Sequence, residues 1–123
     1  MKLSGDHRNR FIEVQFAKQS GLCYLCGEVM DFAYRSTKFT AASIDHVHPI
    51  SKGGTWGKYN LRLAHVLCNH IKDDIVIPIV LIEDENFLHS LFRDLKMKKG
   101  KKGQHVRLSE KELKSQRILR CTK

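Results

Sequence analysis

The chain has 123 residues, with 22 Lys and Arg against 13 Asp and Glu and a formal net charge of +9. That length leaves room for one compact domain with a modest core, plus an appendage. It holds no apolar run long enough to span a membrane, and the opening MKLSGDHRNR lacks the apolar stretch of a secretory signal, so a cytoplasmic protein is expected.

The charge is unevenly placed. Residues 1–92 carry ten Lys or Arg and ten Asp or Glu, whereas residues 93–123 carry twelve against three. A basic block joined to a neutral domain points to a polyanion-binding tail, against the plainer alternative of a solvated tail that aids solubility.

In chain order, Asp6 is the expected N-cap of a helix over about 7–19 that carries Phe11, Ile12, Val14 and Phe16, and Gly21 ends it. Cys-Tyr-Leu-Cys follows at 23–26. TAASIDHV (40–47) reads as a strand, PISKGGTWGKYN (49–60) as a loop, LRLAH (61–65) as a second strand and VLCNHIKDD (66–74) as a short helix. IVIPIVLI (75–82) is apolar but interrupted by Pro78, so an extended packing segment or edge strand is expected there. A helix over about 84–97 places Phe87, Leu88, Leu91, Phe92 and Leu95 at core-facing spacing. KMKKGKKGQ (96–104) reads as a basic linker, and a last helix starts at Ser109 on the capping-box pattern Ser-Glu-Lys-Glu. The resulting division is a domain over 1–95 and a basic linker with a C-terminal helix over 96–123.

The four cysteines include one close pair, Cys23 and Cys26, and a second pair with the same spacing is His65 and Cys68. Zinc takes four soft or borderline ligands in a tetrahedron, and two such pairs supply a Cys3His set. His65 and Cys68, three apart at the start of a helix, project to one face. A redox dithiol is the alternative for Cys23 and Cys26, but no thioredoxin-like strand–helix–strand surrounds them. Cys121 is the rival fourth ligand, far off in the basic tail. A structural zinc would compensate for a small core.

IDHVHP at 44–49 crowds an acid, two histidines and a proline into six positions. The longer stretch it opens, IDHVHPISKGGTWGKYNLRLAHVLCNHIKDD, resembles the HNH endonuclease family: Asp-His, a Pro and Gly-Gly loop, Asn-Leu-x-Leu, then Cys-Asn-x-x-Lys. With the upstream Cys-x-x-Cys the likeness covers residues 23–74, and it particularly resembles small phage and prophage HNH proteins. The resemblance implies an α+β fold: a ββα-metal (His-Me finger) core with a zinc knuckle, flanking helices and a basic C-terminal helical tail. It implies His46 as the general base that deprotonates the attacking water. Asp45 and Asn69 would be the protein ligands of one divalent ion, Mg²⁺ or Mn²⁺, with His70 as a rival ligand roughly 100° round the helix from Asn69. Asn60 would hold the loop and orient His46.

The chemistry asks for the same residue types. Phosphodiester hydrolysis needs an activated water and neutralised phosphate charge, and a histidine titrating near neutrality can accept the water's proton. Strand alternation would put Asp45 and His46 on opposite faces, so a strand end or bulge is required there. The family pattern has no catalytic role for His48, which is expected at the surface or on a phosphate. His7, His89 and His105 are expected as ordinary surface histidines.

The expected activity is a metal-dependent DNA endonuclease that nicks one strand of double-stranded DNA per active site and leaves 3′-hydroxyl and 5′-phosphate ends. It would act as a monomer or weak dimer in the cytoplasm of a bacterial host, with a phage protein as a further partner. DNA contacts are expected from Lys52, Lys58 and Lys72 around the site, and from Lys98, Lys99, Lys101, Lys102, Arg107, Lys111, Lys114, Arg117 and Arg120 in the tail. The alternative is a non-catalytic zinc module that binds DNA or a protein. A colicin-type toxin fits less well, since nothing resembles receptor or translocation segments.

Overall fold

A computed structural model describes residues 5–97. The basic linker, the helix from Ser109, the cations from Lys98 to Arg120, and His105 and Cys121 lie outside the described residues.

The first helix, α1 (Gly5–Lys18), starts two residues before its expected position, which puts Asp6 inside the first turn, where its charge complements the helix dipole, rather than at the cap. It buries Phe11 and Ile12. It ends as expected at Gly21, whose φ of +72° is left-handed and whose N–H donates to the Phe16 carbonyl at 2.9 Å.

β1 (Ala42–His46) and β2 (Leu61–His65) form a two-stranded antiparallel ribbon with unbroken register, from Ala42 opposite His65 to His46 opposite Leu61. A strand end, not a bulge, therefore sits at Asp45 and His46. The loop between the strands contains two single turns of 3-10 helix, Ile50–Lys52 and Lys58–Asn60. α2 (Val66–Lys72) follows β2 without a linker. Its first amides are satisfied by the chain ahead of β1: Val66 N–H donates to the Ala41 carbonyl at 2.9 Å and Leu67 N–H to the Phe39 carbonyl at 3.2 Å.

The segment 75–82 departs from expectation. It contains a short helix, α3 (Ile79–Glu83), with Pro78 at its cap. A proline lacks only an N–H that a helix start has no use for, so Pro78 opens a helix rather than interrupting a strand, and its carbonyl accepts from Leu81 at 2.9 Å. α4 (Glu85–Met97) then buries Leu88, Phe92 and Leu95 at the expected helical spacing. Asp84 accepts from Phe87 N–H at 3.3 Å ahead of it. The core joins Phe11 and Ile12 of α1, Leu61 and Leu63 of β2, Ile71 of α2, and the apolar stripe of α4. No helix among the described residues is long and apolar enough to cross a membrane.

A two-stranded ribbon is marginal by itself, and here its outer edge is closed by a side chain. The Gln19 amide just past α1 accepts from Leu63 N–H at 2.8 Å and donates to the Leu63 carbonyl at 2.9 Å, as a third strand would. Gln15 donates to the same amide at 2.9 Å. Gln19→Ala leaves a buried strand amide without a partner, so denaturant unfolding should show stability lower by about 1–3 kcal/mol.

Candidate active site and metal centre

The zinc-type cluster is built at the junction of β2 and α2. His65 is the last residue of β2 and Cys68 lies in the first turn of α2, while Cys23 and Cys26 come from the turn beyond α1. That turn closes through Cys23 N–H to the Glu28 carbonyl at 2.9 Å and Gly27 N–H to the Cys23 carbonyl at 2.8 Å. Gly27 has φ +74°, and a Cβ there would strike the ring of His89, so the turn requires glycine. His89 is thus packed against the knuckle rather than free at the surface.

All four ligand atoms are buried and lie within 4.8 Å of one another. Sulfur and nitrogen ligands of a tetrahedral zinc stand roughly 3.8 Å apart, so the cluster fits that ion with little adjustment. His65 Nε2–H donates to the Val29 carbonyl at 2.8 Å, which fixes the tautomer and leaves Nδ1 facing the sulfurs of Cys26 at 3.3 Å and Cys68 at 3.8 Å. Helix α4 reaches the same place, with Lys96 Nζ donating to Cys26 Sγ at 3.2 Å and Arg93 Nε to the Cys26 carbonyl at 2.9 Å.

Protons are unevenly held within the cluster. Hydrogen bonds from Cys23 and Cys68 push the Cys26 thiol strongly down, while Cys23 and Cys26 push Cys68 up. Without metal, burial opposes charging of His65, but bonds with the Cys23 and Cys26 sulfurs and the Val29 carbonyl outweigh it and raise the ring to about 10.

At the far end of the ribbon, β1 delivers Asp45 and His46 to a cavity of about 240 Å³ shared with Pro49, Asn69, Asp73 and Asp74. Asn69 Nδ2 donates to Ser43 Oγ at 3.1 Å and to the Ile44 carbonyl at 3.2 Å. Since a carbonyl only accepts, these bonds identify the amide nitrogen and turn Oδ1 the other way. The oxygens of Asp45, Asn69, Asp73 and Asp74 are hard donors of the kind a Mg²⁺ or Mn²⁺ ion takes. Asp73 holds φ +53°, a strained conformation for a non-glycine residue at the rim of the cavity. Neither Asp73 nor Asp74 belongs to the motif, and in the sequence they stand only as the end of the short helix expected over 66–74.

His46 is half-buried, with its ring edge-on to Trp56 at 4.2 Å between centroids. Its Nε2 is the one buried polar side-chain atom without a hydrogen-bond partner among the described residues. Burial, and then the positive charge of Lys72, lower its pKa from the ordinary histidine value, so the ring is a neutral proton acceptor at neutral pH. Trp56 is a neighbour of His46 that the motif reading does not reach. An aromatic residue inside the otherwise polar GGTWGKYN loop is the available signal.

Asn60 pins the loop. Its Oδ1 accepts from His48 N–H at 2.8 Å, and its Nδ2 donates to the carbonyls of His48 at 3.0 Å and Thr55 at 2.8 Å. His48 is tied at both ends, since its Nε2–H also donates to the Lys52 carbonyl at 2.8 Å. The second histidine of IDHVHP thus shapes the turn that carries the loop past His46. Gly54 lies so close that any Cβ there would collide with the His48 carbonyl oxygen.

Lys72 requires a correction. Expected at the surface as a phosphate contact, it is 0% exposed. Its Nζ lies 3.4 Å from the Asp45 carboxylate and donates to the His46 carbonyl at 3.0 Å. A helix ending against β1 turns its last side chain inward, and the buried ammonium is compensated by the buried acid. Tyr24, inside the Cys-x-x-Cys turn, donates its hydroxyl to the same carboxylate. Burial still raises the Asp45 carboxyl above its usual value, against the opposing pull of Lys72 and Tyr24. Burial and the Asp45 charge raise the Tyr24 phenol well above its own. Lys52 and Lys58 are exposed as expected. His70 packs against Phe39 and borders a neighbouring depression with Ser43 and Asn69, not the cavity of Asp45 and His46.

A ribbon and helix that bring a carboxylate, a histidine and an asparagine to one cavity, beside a Cys3His cluster, define a small α+β zinc-knuckle domain. Residues 23–74 match the family model described as HNH endonuclease, and over that stretch the chain carries an HNH-family domain. The chain matches no curated protein and no solved structure.

Elemental analysis of purified protein should find a single zinc per chain. Cys68→Ser should lose most of it along with the cooperative thermal transition, because metal binding and folding are coupled in such domains.

Proposed function

We propose that this protein is a DNA endonuclease in which His46 is the general base. The observation that carries the reading is the buried, unpartnered Nε2 of His46, a residue that borders one cavity with Asp45 and Asn69. A buried polar atom without a partner costs free energy in the resting protein, and a water or a phosphate oxygen in the cavity would supply the missing partner. Trp56 holds the ring in place, and Asn60 fixes the loop that brings Trp56 there. His46 takes the proton of the attacking water.

Asp45 and Asn69 would hold one Mg²⁺ or Mn²⁺, which when bound neutralises charge on the phosphate and the leaving oxygen. His46 breaks one strand per visit, so a monomer nicks double-stranded DNA, leaving 3′-hydroxyl and 5′-phosphate ends. Lys52 and Lys58, exposed on the loop between the strands, contact the duplex outside the cavity. So do the tail cations Lys98, Lys99, Lys101, Lys102, Arg107, Lys111, Lys114, Arg117 and Arg120, which form a separate DNA-holding segment beyond the domain at 1–95. A phage-encoded protein acting in the host cytoplasm, as monomer or weak dimer, is the setting that fits this format.

Lys72 favours a second reading. An ammonium 3.4 Å from Asp45 competes with a divalent ion for the same carboxylate, as expected of a zinc-stabilised binding module that does not cut. Incubation of supercoiled plasmid with the full chain and Mg²⁺ or Mn²⁺ decides between them. Nicked circles should form with wild type, vanish with EDTA, return on adding Mg²⁺ or Mn²⁺ but not zinc, and fall by about 100-fold or more in His46→Ala. Plasmid that is bound but left intact with either ion would favour the binding module.

A further inference from the structure

Three depressions in the surface adjoin one another through shared bordering residues. The cavity of Asp45 and His46 is bordered by Asn69. Asn69 also borders a second depression with Ser43, Ser36 and Thr37. Those three hydroxyl-bearing residues border a third, whose remaining wall includes Arg8 and Arg35. The groove so formed leads from the candidate active site, past Ser43 of β1, to a pair of guanidinium groups.

The pair is not compensated. The ion pairs among the described residues are Lys72 with Asp45 and Lys96 with Glu28, and neither arginine takes part in one. Arg8 is anchored by Nη1 donating to the Tyr34 carbonyl at 2.6 Å, which leaves its other donors for a ligand. The two cations border the same depression, and burial and then Arg35 depress the pKa of Arg8. Like charges held together without a counter-charge are stabilised by an anion between them. The hydroxyls of Ser36 and Thr37, beside the two guanidinium groups, are donors that take up phosphodiester oxygens, whereas the Ser43 hydroxyl is already donated to the Ala64 carbonyl at 2.9 Å.

We infer that the DNA strand to be cut lies along this groove, its backbone over Ser43, Ser36 and Thr37, with Arg8 and Arg35 together gripping a phosphate that flanks the scissile one. The register of that grip rests on the endonuclease reading, whereas the grip itself does not. A larger basic groove lies between α1 and the loop before β2, with Arg10, Lys18, Lys58, Arg62 and the exposed Tyr59. It shares no bordering residue with the His46 cavity, so continuity with the site selects the Arg8–Arg35 groove.

The test compares full-length wild type with Arg8→Gln/Arg35→Gln, with Arg35→Gln alone, and with Arg10→Gln/Lys18→Gln, which removes the same charge from the other groove. Arg35→Gln leaves the Arg8–Tyr34 bond intact, so a folding defect in the double variant does not decide the outcome. Binding of a fluorescein-labelled duplex is followed by anisotropy as salt is raised. One lost phosphate contact on duplex DNA reduces the slope of log K against log salt by about 0.9. That reduction is expected for Arg8→Gln/Arg35→Gln, in the same direction for Arg35→Gln, and not for Arg10→Gln/Lys18→Gln.

A second arm measures nicking of duplexes that carry a single neutral methylphosphonate, moved stepwise from the cut. Wild type should lose rate at one flanking position to which Arg8→Gln/Arg35→Gln is indifferent. If wild type nicks but Arg8→Gln/Arg35→Gln leaves the slope unchanged, the grip is overturned and the endonuclease reading stands. If the variant changes the slope as expected but wild type never nicks, the grip is upheld and that reading is removed. A wild type that does not bind the duplex removes both, and a slope reduced equally by Arg10→Gln/Lys18→Gln overturns the assignment of the groove.

Discussion

The junction where β2 becomes α2 is the constraint on which the rest depends. His65 and Cys68 stand on either side of it, and the turn of Cys23 and Cys26 packs against them. A five-residue strand pair and a seven-residue helix have little core of their own. Four ligands drawn together at this point fix the angle between ribbon and helix. That angle decides whether Asn69 and Lys72 of α2 reach Ser43, Asp45 and His46 of β1. Helix α4 is held to the same point by Arg93 and Lys96. The Cys3His cluster and the His46 cavity are thus two ends of one ribbon, and what steadies the first positions the second.

The buried contact of Asp45, Lys72 and Tyr24 gives the site its electrostatic character. An acid 5% exposed and a lysine 0% exposed depend on each other, and removing one partner of such a pair costs about 3–5 kcal/mol. Tyr24 brings the cluster turn into the same contact, so the two ends of the ribbon communicate through a hydroxyl as well as through the strands. The ammonium also faces His46 and favours its neutral form. A cation on Asp45 is a competitor for any metal ion, and with burial it keeps the neighbouring imidazole neutral.

Much of this is legible in the chain because the signals are local. Cys23, Cys26, His65 and Cys68 are paired at short spacing, and helix and strand geometry converts that spacing into convergence. The two strands, the stripe of Leu88, Phe92 and Leu95, and the stop at Gly21 follow from periodicity and from the backbone freedom of glycine. Pro78 misleads because proline has two local meanings, ending a strand or opening a helix, and only the packing of Ile77 and Leu81 into the core chooses between them. Gln19 and Tyr24 carry no local signal of their structural roles, and Trp56 only that of an aromatic in a polar loop, since each acts on a residue elsewhere in the chain: Leu63, Asp45 and His46.

By itself, then, the sequence determined the ligand types, their spacing and the order of strand, loop, strand and helix, because each of these is a property of neighbouring residues. Only the tertiary structure decided which side chains lose water. The burial of Lys72 on Asp45, the solitary Nε2 of His46, the tethering of His48 to its own loop and the groove from Asn69 to Arg8 and Arg35 all arise where separate elements close on one another. Desolvation depends on how those surfaces meet, and no spacing along a chain encodes it.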